Sequence, residues 1–142
     1  MLLRVTAPIG VILVVFESRP DAAVQIASLC IKSGNAVILK GGKEATRSNA
    51  ALVAAIRAGL EAADLPADAV QFVESREAVS ELLKMDDHID LVIPRGSNAL
   101  VKAVQSQTRI PVLGHADGIC SVYLHEDAVP SKAARLVVDS KT

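Results

Sequence analysis

Two short stretches carry the residue types that a phosphorylated ligand needs. From Gly34 to Asn49 the chain reads GNAVILKGGKEATRSN: an apolar run closing on Lys40, a Gly41-Gly42 corner, Lys43 and Glu44, then an Ala-rich helical pattern. Glycine lets a ligand approach the backbone, and a helix N-terminus favours negative charge. Lys40 and Lys43 flank the corner. The helix macrodipole makes lysines slightly unfavourable at a helix start, which favours contact with a ribose or phosphate over simple solvation. Pro94-Arg95-Gly96-Ser97 repeats the design, with a buried strand, a glycine turn and a hydroxyl before a helix. Ser97 either donates to a pyrophosphate or caps that helix, and taken alone the two readings weigh equally. Two such turns in one sheet make a dinucleotide more plausible than either does singly, although neither is the GxGxxG fingerprint.

Other reactive side chains read less sharply. Glu17, Ser18 and Arg19 follow the most apolar run of the chain. Ser18 can donate to a developing oxyanion or cap the next helix, and capping is the simpler role. Cys120 follows Gly114-His115-Ala116-Asp117-Gly118, and a His and an Asp near a Cys invite a nucleophilic reading. Yet Cys120 sits in an apolar alternating run, where cysteine behaves as a small buried hydrophobe, and the structural reading is favoured. Cys30 falls on an apolar helix face. No His, Cys, Asp or Glu spacing predicts a metal site.

The elements that must position these loops alternate strictly. Val11–Phe16 reads as a strand buried on both faces, and Pro20 opens a helix that Gly34 ends. Ala36–Lys40 is a second strand, followed by a helix from about Lys43 to Ala63. Its expected core face is Ala50, Ala51, Val53, Ala54, Ile56, Ala58 and Leu60. Val70–Val73 is a third strand, and Ser75 caps a short helix. Leu91–Ile93, Pro111–Leu113 and Ile119–Leu124 are further strands, with helices near 98–105 and 130–139. Alternation with short connections predicts an α/β fold: a Rossmann-like, doubly wound, mostly parallel sheet with helices on both faces. Ligands then sit at the carboxyl ends of the strands, on the loops 17–20, 41–43, 94–97 and 114–118.

The 142 residues suit one domain, and aromatics at 2% leave the core aliphatic. A net charge of −1 gives no footprint for nucleic acid or for a polybasic membrane contact. Two cysteines make no disulfide framework, and no apolar run approaches bilayer length.

Quoted together, VVFESRPD, ILKGGKEA, DLVIPRGSN and PVLGHADGIC resemble the glutamyl phosphate reductases, a branch of the aldehyde dehydrogenase superfamily. The likeness spans essentially the whole chain. It implies a thiolate that attacks γ-glutamyl phosphate and releases phosphate, followed by hydride transfer from NADPH to give glutamate 5-semialdehyde in proline biosynthesis. Lys40 matches the superfamily lysine that holds the adenine ribose. Lys43 stands where NAD-preferring relatives often carry an acid, and a cation there suits a 2′-phosphate, so NADP(H) is the expected cofactor. Gly96 and Ser97 match the turn that meets the pyrophosphate, and Ser18 falls near the oxyanion asparagine. Arg19, Arg95 and His115 are candidate substrate-binding residues. The general-base glutamate of hydrolytic relatives has no counterpart near Leu113-Gly114-His115, which fits a reaction that must keep water from a thioester. The family's nucleophile lies in a motif like YPAACNA, expected beyond Thr142. Residues 1–142 are therefore expected to be an NADP-binding domain truncated at both ends and inactive alone. The resemblance implies a cytoplasmic homo-oligomer, or a mitochondrial one if the segment belongs to a bifunctional synthase. The rival reading is a non-catalytic nucleotide-binding or subunit-interaction module.

Overall fold

The computed structural model describes residues 2–3, 5–17, 19–114 and 121–141. Its centre is a four-stranded sheet of β1 (Val11–Phe16), β2 (Ala36–Lys40), β3 (Val70–Phe72) and β4 (Leu91–Arg95). The strand order is β3-β2-β1-β4, and every pairing is parallel. Among the described residues five α-helices accompany it: α1 (Pro20–Lys32), α2 (Thr46–Ala62), α3 (Arg76–Leu82), α4 (Asn98–Gln107) and α5 (Pro130–Lys141).

β1 shows why the sheet must be covered twice. A strand turns successive side chains to opposite faces. Ile12, Val14 and Phe16 pack with Ala23, Ala27 and Cys30 of α1 and with Val53 and Leu60 of α2. Leu13 and Val15 pack on the other side with Val79, Leu83, Val92 and Val104. An unbroken apolar run is thus the signature of burial on both faces, as the sequence predicts.

The amino end of the sheet is pinned by two polar side chains. Asn35 Oδ1 accepts from the Ile9 and Gly10 backbone N–H groups at 2.5 and 2.9 Å. Asp90 Oδ2 accepts from Val11 N at 2.8 Å. Gly10, with φ of +128°, lies so close that any side chain there would run into the Asp90 carboxylate.

The structure differs from the sequence reading in several places, and β3 stops at Phe72 rather than Val73. The predicted strand at 111–113 shrinks to a single parallel bridge between Val92 and Val112. The one predicted at 119–124 forms no strand over its described residues 121–124. Alternation alone makes no strand where no edge receives it. β4 runs on through Pro94, where the sequence reading stopped at Ile93. Val92 turns its N–H and C=O toward Pro111 and Leu113, away from β1. Pro94, two residues on, shares that orientation, so its missing N–H falls on the open side of an edge strand. Helix two begins with a 3₁₀ turn, Lys43–Ala45, and becomes α-helical only at Thr46. Its buried residues are Asn49, Val53 and Leu60, while Ala51, Ala54 and Ala58 are exposed.

Candidate functional site

A parallel sheet delivers all its carboxyl ends to one edge, and here they are close neighbours. Val15 pairs with Lys40, and Phe16 with Arg95. The crossover reverses direction between β1 and β4, the arrangement that opens a crevice at the strand ends. A cleft of about 790 Å³ lies there. That falls within the roughly 300–1,000 Å³ of small-molecule sites.

One end of the cleft is charged. Lys40, Gly42, Lys43 and Glu44 line it from the corner after β2, Glu17 from β1, and Arg76 from the start of α3. The other end is apolar, walled by Val79 of α3, by Leu83 just after it, and by Ala99, Leu100 and Ala103 of α4. Lys40 is the buried cation, 8% exposed, and its Nζ donates to the Gly41 carbonyl at 2.6 Å. Burial pulls its pKa below the usual 10.5, Arg76 and Lys43 lower it further, and Glu44 and Glu17 oppose them. Three cations and two carboxylates therefore share one electrostatic environment.

The turn after β4 abuts this cleft through Glu17. Ser97 N donates to Glu17 Oε2 at 3.3 Å, and Glu17 N donates to the Arg95 carbonyl at 3.2 Å. Gly96 is confined: an added Cβ would stand 2.6 Å from Glu17 Oε2 and 2.9 Å from Leu100 Cδ2. The Ser97 hydroxyl accepts from Leu100 N at 3.3 Å, so the side chain caps α4.

The remaining sequence candidates are scattered. Gly41 is the buried half of the corner, packed against Asn49 and Phe16. Arg19 pairs on the surface with Asp21 at 3.2 Å and is the N-cap residue of α1, with no side-chain cap bond. Arg95 is exposed at the end of β4 and is not among the residues lining the cleft. Ser18, His115 and Cys120 lie outside the described residues. Cys30 is buried, and burial pushes its thiol pKa up, opposite to what a nucleophile needs. Among the described residues, no cluster of His, Cys, Asp or Glu could hold a metal, and no helix is long and apolar enough to cross a membrane.

Sequence reasoning missed Arg76. It follows the cap Ser75, whose hydroxyl accepts from Ala78 N at 3.0 Å. The available signal was its place just after β3, the one strand tip not flagged beforehand.

A parallel sheet wrapped by helices on both faces, with a cationic cleft at its carboxyl edge, is a Rossmann-like α/β domain. The sequence matches the model of the Aldehyde dehydrogenase family over residues 3–142, and the chain belongs to that family. It is 58% identical to the gamma-glutamyl phosphate reductase of Trichodesmium erythraeum, over 100% of this chain and 33% of the relative. The fold superposes on the crystal structure of gamma-glutamyl phosphate reductase from Thermotoga maritima with a TM-score of 0.81 and 38% identity, covering 95% of this chain and 33% of the other. An engineered glycolyl-CoA reductase with bound NADP+ matches at a TM-score of 0.66 and 27% identity, over 76% of this chain and 25% of that one. The chain thus spans about a third of the length of the reductases it resembles.

Proposed function

We propose that this chain supplies the NADP(H) site of an enzyme that reduces γ-glutamyl phosphate to glutamate 5-semialdehyde and phosphate. The observation that carries the reading is the meeting of Lys40, Lys43 and Arg76 with an apolar slot in one cleft. The relatives' names supply the substrate and the reaction.

Each part of the cleft suits one part of a dinucleotide. The slot between α3 and α4 suits a planar base. Lys40 suits the ribose beside it. Lys43 and Arg76 suit a 2′-phosphate, with Arg76 able to make a bidentate contact. Gly96, with no side chain, and the N-terminus of α4 suit the pyrophosphate. Bound NADPH would supply hydride. The acyl group would first pass to a cysteine thiolate, with phosphate as leaving group. Hydride addition to the thioester and release of the thiolate then give the aldehyde. The buried Cys30 is unsuited to supplying that thiolate. The assembled protein is a cytoplasmic homo-oligomer in this reading.

Fluorescence titration with NADPH and NADH, with 2′,5′-ADP as competitor, is the test. Saturable NADPH binding that 2′,5′-ADP displaces, and weaker NADH binding, are expected. Absence of saturable NADPH binding, by this chain and by the full-length protein alike, would overturn it.

A further inference from the structure

Among the described residues, Asn49 alone has buried side-chain polar atoms with no hydrogen-bond partner, and both Oδ1 and Nδ2 are in that position. The residue is completely shielded, at 0% exposure. An unpaired buried amide costs folding free energy that a leucine of similar size would not. Such a group needs an explanation, and a second state in which it is paired is one that its surroundings support.

Its position indicates which state. Asn49 lies in the first turn of α2, directly beneath the glycine corner. A side chain on Gly41 would collide with Asn49 Nδ2 and come within 3.3 Å of Phe16 Cε2. The Gly41 peptide is buried, and its carbonyl takes its bond from Lys40 Nζ at 2.6 Å. One carbonyl therefore has two potential donors at hand, an ammonium that is engaged and an amide that is not. Lys40 is also the cation assigned above to the ribose, so this inference rests on that reading. An ammonium that swings to a ligand leaves the Gly41 carbonyl without a donor, and buried carbonyls are rarely left so. Two consecutive glycines give the corner the backbone freedom to turn.

We propose that Asn49 is a positioning residue that takes over the Gly41 carbonyl when Lys40 releases it to a phosphorylated nucleotide. In the free protein Lys40 Nζ holds Gly41 O and the Asn49 amide waits. In the bound protein Lys40 meets the nucleotide, the corner turns, and Asn49 Nδ2 donates to Gly41 O. The orphaned amide is the cost of the free state, and its pairing adds to nucleotide affinity.

Asn49→Leu in the full-length protein tests this. The free protein should melt at the same temperature or higher. The affinity for 2′,5′-ADP should fall about tenfold, the size of one well-made hydrogen bond. KM for NADPH should rise by a similar factor, with kcat unchanged. A merely structural asparagine gives the reverse: a lower melting temperature with unchanged affinity and KM, and that result overturns the proposal. Should the variant fail to fold, a crystal structure of the wild-type protein with 2′,5′-ADP decides. Asn49 Nδ2 about 2.9 Å from Gly41 O, with Lys40 on the ligand, supports it. Lys40 still on Gly41 O beside an unpaired Asn49 refutes it. Wild-type protein that binds no nucleotide brings down the proposed function as well, whereas equal binding by wild type and Asn49→Leu brings down this inference alone.

Discussion

At the residue scale, Lys40 holds a charge where water is scarce, and its titration should show it. Its folded pKa is lowered, so folding disfavours the charged form. The penalty is fully present below the lowered pKa. It fades as pH rises through that value and is gone above the ordinary 10.5. Lys40→Met should therefore gain on the wild type at neutral pH relative to alkaline pH, as read from urea midpoints across that window. Nucleotide binding works in the opposite direction: an anion beside Lys40 favours its charged form. NADPH affinity should decline as pH rises through the lowered pKa, beginning below 10.5, and Lys40→Met should flatten the profile while weakening binding about tenfold. Arg76→Ala should weaken NADPH more than NADH, again about tenfold, in the same titration. Gly41→Ala drives a methyl group into Asn49 and Phe16, and should cost about 1–3 kcal/mol in urea unfolding.

At the element scale, the helix starts separate two uses of serine. Ser75 and Ser97 each accept a backbone N–H three residues on. Replacing either with alanine should cost about 1 kcal/mol of unfolding free energy. Lost stability without lost NADPH affinity in Ser97→Ala would restrict that hydroxyl to capping. The strands β1, β2 and β4 were legible because unbroken aliphatic runs between glycine or proline punctuation admit few other readings. The cap at Ser75 was legible from a serine just before a helical pattern, whereas at Ser97 the sequence left capping and pyrophosphate contact evenly weighed. The buried face of α2 was not legible, since an Ala-rich helix gives little contrast between its sides, and the residue that faces inward most completely is the polar Asn49. Half of the cleft was readable, because Lys40, the glycines and Lys43 lie together in the chain. Arg76 was not, since only the pairing of β3 beside β2 brings it next to Lys40. No local pattern encodes that neighbourhood.

At the scale of the whole molecule, apolar side chains concentrate near the last helix. α5 buries none of its described residues, and Leu136 and Val138 are 58% and 61% exposed. Tyr123, Leu124 and Val129 are exposed just before it. An apolar surface of this kind promotes association. Replacing Leu136 and Val138 with lysine should raise the concentration at which the 142-residue chain stays monomeric in light scattering, without changing its NADPH affinity.

Pro94 has a consequence for the seam beside β4. Among the described residues the sheet joins the following segment at the bridge Val92–Val112, and Pro94 has no N–H with which to extend it. The backbone instead leans across the strand tip, where Gly114 nestles within 2.8 Å of Val101 Cγ1 and 3.2 Å of Pro94 Cγ as measured from an added Cβ. The margin is fastened by backbone hydrogen bonds at Val92 and by packing alone at Pro94, like a zip stopped partway. Pro94→Val would place an N–H opposite the Leu113 carbonyl, so the seam should close one step further, read as slow exchange of the new amide at residue 94.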